Sequence, residues 1–388
     1  MYIQNLEKLN NRDKILATLY SHRQLTKFDI AQKTNISIPT VTSNLTKLLE
    51  EGLVEEAGIA ESTGGRKPKI IRLIPNALYS IGVEIAPTKV SMVLINLCCQ
   101  IQSREEFLLD EFDITADFHR IILKLTDEIK QMVHDLDIPL SRIAGIGLSV
   151  PGTVDREHFV LELAPNLGVK QFSLEFLNEM FPFPIYIENE ANAGAFGELL
   201  LGRKQVGEQT VYVSITEGIG ASIMTKDGFY RGNKERAGEF GHMHIGYSEK
   251  LCKCGRTGCW ELFSSETVLL DRYNQTKHTI GGTLDDIAAQ YKAGDEDTKA
   301  VVSEYLNNLA LGLQNILLAI DPKEIVIGGN LAKHGNLFID ELRDLVFEKS
   351  VFHSSSDVDI LFSTLNADSS ILGAAVTPFQ KVFNTDEQ

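Results

Sequence analysis

The order of strand and helix patterns that begins near residue 79 restricts the fold of this 388-residue chain more than any other feature. Three apolar stretches predict an antiparallel meander: Ser80–Ile85, Val90–Leu97 and one that runs through Phe107. Helical spacing follows from Asp117 to Val133, and the continuous apolar run Ile143–Val150 is typical of a strand buried on both faces. This β-β-β-α-β order predicts an α/β domain.

A comparable set of patterns appears later in the chain. Strands are expected between Val211 and Met224, a long helix from Thr298 to Ile320, and a strand Glu324–Ile327 that ends at Gly328–Gly329. These elements indicate a second α/β lobe. Two lobes imply a cleft between them, which is a common place for a ligand.

Charge is distributed unevenly along the sequence. The formal net charge is −16, but the residues through Pro75 carry 11 Lys and Arg against 8 Asp and Glu, a balance of +3 that leaves −19 for the remainder. Because an acidic surface repels phosphates, only the N-terminal part suits nucleic acid. The length also exceeds that of most single domains. We therefore divide the chain into a head, residues 1–75, and a body, residues 76–388.

Nothing in the sequence predicts a membrane partner. No stretch approaches the roughly 20 apolar residues that a membrane span needs, and neither end has an apolar secretory pattern. We therefore expect a cytoplasmic protein, in which the five cysteines are poor candidates for disulfides. The adjacent Cys98 and Cys99 fall within a predicted strand, and we expect them to be packing residues.

The head has the spacing of a helix-turn-helix. Apolar residues recur at helical intervals from Asn11, and Thr26 is suited to cap a second helix that extends to Thr34. Pro39 lies near the start of a third helix, and Gly52 can end it. The predicted order is two short helices, a turn and a third helix presented outward.

The third helix is predicted to be amphipathic, with a polar face available to DNA. Its inward residues are Val41, Leu45, Leu48 and Leu49. The residues expected to contact DNA are Ser37, Thr40, Thr42, Ser43, Asn44 and Lys47. Most of these are short side chains that form hydrogen bonds, as base and phosphate recognition requires.

A basic hairpin is predicted to follow the third helix. Leu53–Glu56 and Ile70–Ile74 have strand patterns, and the turn between them places Arg66 and Lys67 at its tip. Such a hairpin is the wing of a winged helix-turn-helix, and its cations suit phosphate contacts. A three-helix bundle used for protein contacts is the alternative, but the basic wing favours DNA.

A dense cysteine block predicts a metal site. Cys252, Cys254 and Cys259 fall within eight residues, and Gly255 and Gly258 allow the backbone to fold around a common point. Three thiolates need a fourth ligand, and tetrahedral Zn²⁺ is the usual occupant. Three buried thiols without a metal are the alternative.

Five motifs, taken in order, are similar to those of one protein family. They are Ile-Gly-Val-Glu-Ile-Ala-Pro-Thr-Lys, Ser-Val-Pro-Gly-Thr-Val-Asp, Ile-Glu-Asn-Glu-Ala-Asn-Ala, Gly-Glu-Phe-Gly-His and the Cys-x-Cys-Gly-x-x-Gly-Cys-x-Glu block. Over essentially the whole chain the sequence resembles the ROK family of repressors and sugar kinases, and with its head it most resembles the xylose-repressor branch. The resemblance implies a two-lobed, actin-like, hexokinase-type (ribonuclease H-like) ATPase fold, with sugar in the cleft, and a homodimer or homotetramer.

The resemblance also implies which residues form the sites. The implied sugar contacts are Gly152, Asn166, Asn189, Glu190, Glu239, His242 and Glu261. The implied fourth zinc ligand is His242, although His244 competes because residues two apart on an extended segment can face the same way. A site with four protein ligands has no open position, so the metal is expected to be structural.

Three positions depart from the pattern of the family's kinases. Where the kinases carry Asp-x-Gly-Gly-Thr, this chain has Glu84-Ile-Ala-Pro-Thr, and Pro87 has no N–H to offer a phosphate. Their second phosphate turn, Gly-Thr-Gly, is replaced by Thr-Glu-Gly, which places Glu217 where a phosphate would lie. Their catalytic Asp is replaced by the longer Glu190. We therefore assign no catalytic residue.

The combined features predict a transcriptional repressor of carbohydrate-utilisation genes, released from a palindromic operator by a monosaccharide. The branch resemblance favours xylose as that effector, and the direction of the response is inferred from the family. An ATP-dependent sugar kinase is one alternative function. A non-enzymatic protein adaptor is another, but it leaves the basic wing without a role.

Overall fold

The head folds into three helices and a small antiparallel sheet in a computed structural model, which describes residues 10–59, 68–202, 209–348 and 350–383. The helices are α1 (Asn11–His22), α2 (Lys27–Thr34) and α3 (Ile38–Glu50), and the strands are β1 (Gln24–Thr26), β2 (Val54–Ile59) and β3 (Lys69–Leu73), in the spatial order β1-β3-β2. The three predicted helices and both wing strands are present. The sequence pattern does not predict β1, because three residues are too few to show a period.

Capping side chains fix the starts of α2 and α3. Thr26 and Asp29 form a reciprocal capping box, in which each side chain accepts a hydrogen bond from the backbone N–H of the other. Ser37 caps α3 by accepting from the backbone N–H of Thr40 at 3.4 Å. Between the two helices Asn35 adopts a left-handed conformation, with φ of 56°, and so forms the tight turn.

The first lobe of the body is a five-stranded mixed sheet that carries the predicted β-β-β-α-β unit. Its elements are β4 (Tyr79–Ile85), β5 (Lys89–Asn96), β6 (Ile101–Leu108), α4 (Ile114–Asp135), β7 (Ile143–Val150) and β11 (Ile185–Asn189). The strand order is β11-β7-β4-β5-β6, with β4 antiparallel to β5 and parallel to β7. The apolar face of α4 packs on this sheet, as its helical spacing predicts.

A smaller sheet and a helix complete the first lobe. The sheet consists of β8 (Thr153–Asp155), β9 (Val160–Ala164) and β10 (Val169–Ser173), and the short α5 (Leu177–Met180) leads into β11. Apolar residues of these strands join the same core as α4.

The second lobe has its own five-stranded sheet. Its strands are β12 (Thr210–Ile215), β13 (Ile219–Thr225), β14 (Gly228–Phe229), β15 (Glu324–Gly328) and β16 (Asp359–Phe362), in the order β14-β13-β12-β15-β16. Its helices are α7 (Glu261–Ser264), α8 (Glu266–Lys277), α9 (Leu284–Lys292), α10 (Glu296–Ile320) and α11 (Ile339–Phe347). A separate hydrophobic core lies between this sheet and α10, so the predicted second lobe is present.

Two helices lie between the lobes. They are α6 (Glu190–Leu201), which begins directly after β11, and α12 (Ser369–Phe383). They pack against each other, α12 also packs on β4 and β7, and α6 also packs on β12. The parallel strands β7 and β11 therefore deliver their carboxyl ends to the boundary between the two sheets, where ligands bind in open α/β folds.

The prediction that Cys98 and Cys99 belong to a strand is wrong. Strand β5 ends at Asn96, whose side-chain oxygen accepts hydrogen bonds from the backbone N–H groups of Cys98 and Gln100 at 3.0 Å and so turns the chain. Cys99 has φ of 60°. Its thiol contacts the hydroxyl of Tyr20, so the turn packs against the head.

The core of the head is continuous with that of the body. Leu16, Leu19 and Tyr20 of α1 belong to one buried cluster together with Ile95 of β5 and Ile371 of α12. The side chain of Arg23 adds a polar contact by donating to the carbonyl oxygen of Cys98 at 3.2 Å. The head is therefore packed on the first lobe rather than tethered at a distance from it.

Within the described ranges, no helix is both long enough and apolar enough to cross a lipid bilayer.

Candidate functional site

All seven residues implied as sugar contacts line one cleft between the lobes. The first lobe contributes Gly152, Asn166 and Asn189, helix α6 contributes Glu190, and the second lobe contributes Glu239, His242 and Glu261. These residues are spread over 110 positions of sequence, and the meeting of the two lobes brings them together. The cleft therefore offers amides, carboxylates and an imidazole to one ligand, as sugar hydroxyls require.

Asn189 closes the turn between β11 and α6. Its Oδ1 atom caps α6 by accepting from the backbone N–H groups of Ala191 at 2.9 Å and Asn192 at 3.1 Å. Its Nδ2 atom donates to the carbonyl oxygen of Gly152 at 2.8 Å. One amide hydrogen is left for a ligand, and the orientation of that hydrogen is fixed by the other three bonds.

Glu190 occupies the position that follows this cap. Its carboxylate accepts a hydrogen bond from the hydroxyl of Ser214 on β12, so it joins the two lobes. Burial, together with smaller contributions from the neighbouring carboxylates of Glu84 and Glu217, raises the pKa of Glu190 to about 7, although the hydrogen bond from Ser214 opposes the shift. Burial likewise raises the pKa of Glu84 to about 7. At neutral pH this part of the cleft can both donate and accept hydrogen bonds.

Asn166 and Glu261 approach each other over the turn at Gly218. A side-chain carbon placed on Gly218 would lie 2.9 Å from Nδ2 of Asn166 and 2.9 Å from Oε2 of Glu261. The first residue belongs to the first lobe and the second to the second lobe. The floor of the cleft is therefore assembled from both.

His242 faces two groups of different chemistry. It ends a short 3-10 turn, Phe240–His242, that follows Glu239. Its Nε2 atom is 3.8 Å from Oε2 of Glu239, whereas its Nδ1 atom is 3.5 Å from Sγ of Cys252 and 3.5 Å from Oε1 of Glu261. Burial raises the pKa of Glu239. One imidazole therefore stands between the cleft and the cysteine block.

The cysteine block and His242 form a cluster that could hold a metal ion. Nδ1 or Nε2 of His242 and the sulfurs of Cys252, Cys254 and Cys259 all lie within 4.8 Å of one another. The Sγ atoms of Cys254 and Cys259 are 3.6 Å apart. Among the described residues this is the one group of three or more His, Cys, Asp or Glu side chains so arranged.

His244, the competing ligand, is outside this cluster. Its backbone forms a bridge with Cys259, and its ring packs against Gly258. Gly258 has φ of 74°, and a side-chain carbon there would lie 2.3 Å from the carbonyl oxygen of Gly246, so only glycine fits. The loop therefore folds as the glycine spacing predicts, with His242 and not His244 directed at the sulfurs.

Trp260 anchors the cysteine block to the second lobe. It is fully buried, and its Nε1 atom donates to the carbonyl oxygen of Asn308 on α10 at 3.1 Å. Position 312, one turn further along α10, requires glycine, because a side-chain carbon on Gly312 would lie 1.9 Å from the indole ring. The block is thus attached to the longest helix of the body.

Four further residues with carboxylate or amide side chains line the cleft, and the family motifs do not imply them as sugar contacts: Glu84, Asn192, Glu217 and Glu235. Asn192 lies three residues after Asn189, so helical spacing could have indicated it. Glu84 and Glu217 lie at two positions where the sequence departs from the kinase phosphate turns, and that departure does not by itself predict contact with a ligand. Glu235 lies in a loop without a periodic pattern, and no signal in the sequence points to it.

The polar face of α3 has the predicted character. Val41, Leu45 and Leu48 are fully buried and Leu49 is half-buried, whereas Ser43 and Lys47 are exposed. Of the other residues predicted to contact DNA, Ser37 is exposed and Thr40, Thr42 and Asn44 are half-buried. The amide of Asn44 donates to the carbonyl oxygen of Thr40 at 2.9 Å. Arg66 and Lys67 lie outside the described residues.

Comparison with known proteins assigns both parts of the chain. A model of winged helix-turn-helix DNA-binding domains matches residues 9–55, and the model of the ROK family matches residues 80–380. This chain belongs to the ROK family. Among curated ROK relatives, a protein named putative xylose repressor from Caldicellulosiruptor sp. (strain Rt8B.4) is 30% identical over 381 residues and the xylose repressor of Bacillus subtilis (strain 168) is 27% identical over 379 residues, each match covering 95% of both chains.

Solved ROK structures have the same fold. A ROK family transcriptional regulator, described as a homolog of the E. coli MLC protein, has a TM-score of 0.78 at 20% identity and covers 97% of this chain and 98% of its own. A ROK family glucokinase from Streptomyces griseus, in complex with glucose and AMPPNP, has a TM-score of 0.66 at 24% identity and covers 78% of this chain and 99% of its own. Both matches cover nearly all of the solved chain, but only the match to the transcriptional regulator also covers nearly all of this one.

Proposed function

We propose that this ROK-family chain is a sugar-responsive DNA-binding repressor whose body has lost kinase activity. One observation carries the proposal: the cleft is lined by six glutamates, and none of its lining residues in the described part of the chain is Lys or Arg. Carboxylates accept hydrogen bonds from neutral hydroxyls, whereas nucleotide phosphates need cations or free backbone N–H groups. Such a cleft suits an unphosphorylated sugar and disfavours ATP.

Two glutamates lie where the family's kinases have phosphate-binding turns, and they support the loss of kinase activity. Glu84 and Glu217 line the same cleft as Glu190 and raise its pKa by like-charge repulsion. The triphosphate of ATP would bring further negative charge to this place, which costs free energy in a partly buried site. The domain division that we propose, residues 1–75 and 76–388, then separates DNA recognition from sugar recognition.

The relatives support xylose as the effector. A protein named putative xylose repressor and one named xylose repressor each match over 95% of this chain, so the similarity extends through both the head and the body. We therefore propose D-xylose as the first sugar to test.

The usual assembly of the family supports a homodimer or homotetramer. In such an assembly, two α3 helices about 34 Å apart would read a palindromic operator.

We propose that the metal is a structural zinc held by His242, Cys252, Cys254 and Cys259. With Zn–S bonds of about 2.3 Å, two sulfurs of a tetrahedral site are about 3.8 Å apart. The distance of 3.6 Å between the sulfurs of Cys254 and Cys259 supports this geometry. Zinc on Nδ1 of His242 would leave Nε2 free for a sugar hydroxyl, so the ion would hold a recognition group in place.

Sugar controls DNA binding only if it binds one arrangement of the lobes better than another. The packing of α1 on the first lobe supports a direct link, in which a change in the arrangement of the lobes would also move the head. In a dimer, a modest rotation of the lobes would alter the separation of the two α3 helices and weaken both half-sites together.

A monosaccharide panel combined with operator titration tests the proposed function. We expect D-xylose to raise the unfolding temperature, since a ligand that binds only the folded state stabilises it. We also expect the same sugar to release a labelled duplex from the chain's own promoter region. ATP turnover with any aldose in a coupled assay, or equal affinity for all duplexes, would contradict the proposal.

A further inference from the structure

Ion pairs join the two lobes along one side of the cleft. Arg156 follows β8 and Glu188 lies in β11, so both belong to the first lobe. Arg231 and Glu235 belong to the second lobe, in the loop of residues 230–238 that follows β14. Each lobe thus contributes one cation and one anion. We call these four residues the cross-cleft ion pairs.

Both pairs have bidentate geometry. Arg231 donates to the two carboxylate oxygens of Glu188 at 2.8 and 2.7 Å. Arg156 donates to the two oxygens of Glu235 at 2.9 and 2.7 Å, and its Nη1 atom is 3.9 Å from Glu188. Planar guanidinium–carboxylate pairs fix orientation as well as distance.

The pair of Arg231 and Glu188 is well shielded from solvent. Their side chains are 19% and 15% exposed, compared with 38% and 31% for Arg156 and Glu235. Exposed ion pairs contribute little, but partial burial strengthens the attraction and makes removal of one partner costly. These contacts are therefore strong enough to influence how the lobes are held.

The same residues are connected to the sugar contacts on each side. In the first lobe, Glu188 also accepts from the backbone N–H of Asn189 at 3.0 Å and from Nδ2 of Asn192 at 3.2 Å. In the second lobe, the backbone N–H of Ala237 donates to the carbonyl oxygen of Arg231 at 3.0 Å, which closes the loop that leads to Glu239.

We propose that the cross-cleft ion pairs are positioning residues, which hold Asn189 and Glu239 at the separation that a sugar needs. This inference rests on the proposed function, because it takes the cleft to be the sugar site. The pairs act through Asn189 and Glu239 and set the distance between the lobes. The affinity for sugar then depends on the ion pairs between the lobes, although the sugar itself carries no charge.

A dependence on ionic strength follows. Salt screens charge pairs that solvent can reach, so it weakens the contact between the lobes. The affinity for an uncharged monosaccharide should therefore fall as salt is raised from 0.05 to about 0.5 M. A pocket whose lobes were held by apolar contacts alone would show no such loss.

Charge exchange in the less buried pair is the direct test. We expect Arg156→Glu and Glu235→Arg each to weaken D-xylose affinity at least about tenfold in calorimetry without DNA. The double variant should bind at least about threefold more tightly than either single variant, because the exchanged pair can form again, although its charges now face Glu188 and Arg231. The matched control exchanges Lys333 and Asp285, a pair within the second lobe at 2.7 Å, and should leave the affinity unchanged. A double variant no better than either single variant would overturn the proposal.

A measurement without sugar separates this inference from the proposed function. Hydrogen exchange of the Ala237 amide should be faster in both single variants and slower again in the double variant than in either of them. If the unmodified protein bound no monosaccharide, the proposed function would fail, and this exchange pattern would still decide the role of the ion pairs. Unchanged exchange in the single variants would exclude that role.

Discussion

His242 directs its Nδ1 atom at the sulfur of Cys252 across 3.5 Å. The opposite nitrogen of the ring, Nε2, lies 3.8 Å from the carboxylate of Glu239 in the cleft. Because an imidazole is rigid, a metal bound on one nitrogen fixes the direction of the other. Metal content and sugar affinity should therefore change together.

Replacement of Cys254 tests this coupling. We expect Cys254→Ser to lose bound metal, to lower the unfolding temperature and to weaken D-xylose affinity about tenfold or more, because metal binding contributes to folding and one metal ligand also faces the sugar. Metal analysis, thermal unfolding and calorimetry measure the three effects. Cys98→Ser is the matched control, since Cys98 lies in the turn against the head and should keep the metal. Intact stability and affinity in a metal-free Cys254→Ser protein would contradict the zinc assignment.

Replacement of Glu239 tests the sugar site separately from the metal. Loss of a hydrogen bond to a charged acceptor costs about 1.5–3 kcal/mol, so Glu239→Gln should weaken sugar affinity about 10- to 100-fold. Operator affinity without sugar should not change, and the variant should behave as a repressor that ignores its effector. Glu249→Gln, the same substitution at an exposed position of the same segment, should respond normally. If the sugar concentration that releases the unmodified protein from its operator also released Glu239→Gln, the assignment of the sugar site would be contradicted.

Two residues of α3 are expected to affect DNA binding in different ways. Lys47→Ala should weaken binding to all sequences alike and reduce the slope of affinity against salt by about one, as removal of a phosphate contact does. Asn44→Ala should instead lower affinity for the operator by about 1–3 kcal/mol and relax base preference, because its amide can turn from Thr40 to a base edge. Titration of operator and scrambled duplexes at several salt concentrations separates the two. Arg66→Ala, predicted from the sequence alone, should resemble Lys47→Ala.

The buried carboxylate of Glu84 should make stability depend on pH. Its pKa is raised by burial to about 7, and Glu217 and Asp368 act in the same direction, whereas the Ser370 hydrogen bond and Lys89 oppose it. The folded state then binds a proton that the unfolded state has lost, so stability falls as pH rises from about 4.5 to 7. Glu84→Gln should reduce this slope, leaving the part that the similarly raised pKa of Glu190 contributes, and should raise the free energy of unfolding at pH 7.5 by on the order of 1–2 kcal/mol. Denaturation at pH 5 and 7.5 measures it; an unchanged slope would exclude Glu84 as its source.

The elements that the sequence predicts most accurately are those in which every residue is buried. The strand Ile143–Val150 has the predicted bounds because every one of its residues is buried, so the apolar run ends where the strand ends. The cysteine loop was also predictable, because its glycines and thiols have few other uses. In contrast, β1 forms only because β3 lies beside it, and the turn at Cys98 depends on the side chain of Asn96.

The cross-cleft ion pairs show the limit of reasoning from motifs. Glu235 and Arg156 are 79 positions apart, and neither lies in a pattern that predicts the other. Asn189 was predicted as a sugar contact, but three of its hydrogen-bonding positions are already used to cap α6 and to hold Gly152. Such roles depend on distances that only the folded chain sets.

The shared core of α1, β5 and α12 has a consequence for dissecting the protein. A fragment cut after the wing would expose Leu16, Leu19 and Tyr20, and the remaining body would expose Ile95 and Ile371. Both fragments would be prone to aggregate, since newly exposed apolar patches associate. The DNA-reading part of this chain is therefore not a portable module, and a chimeric regulator built by transplanting it would need the first lobe as well.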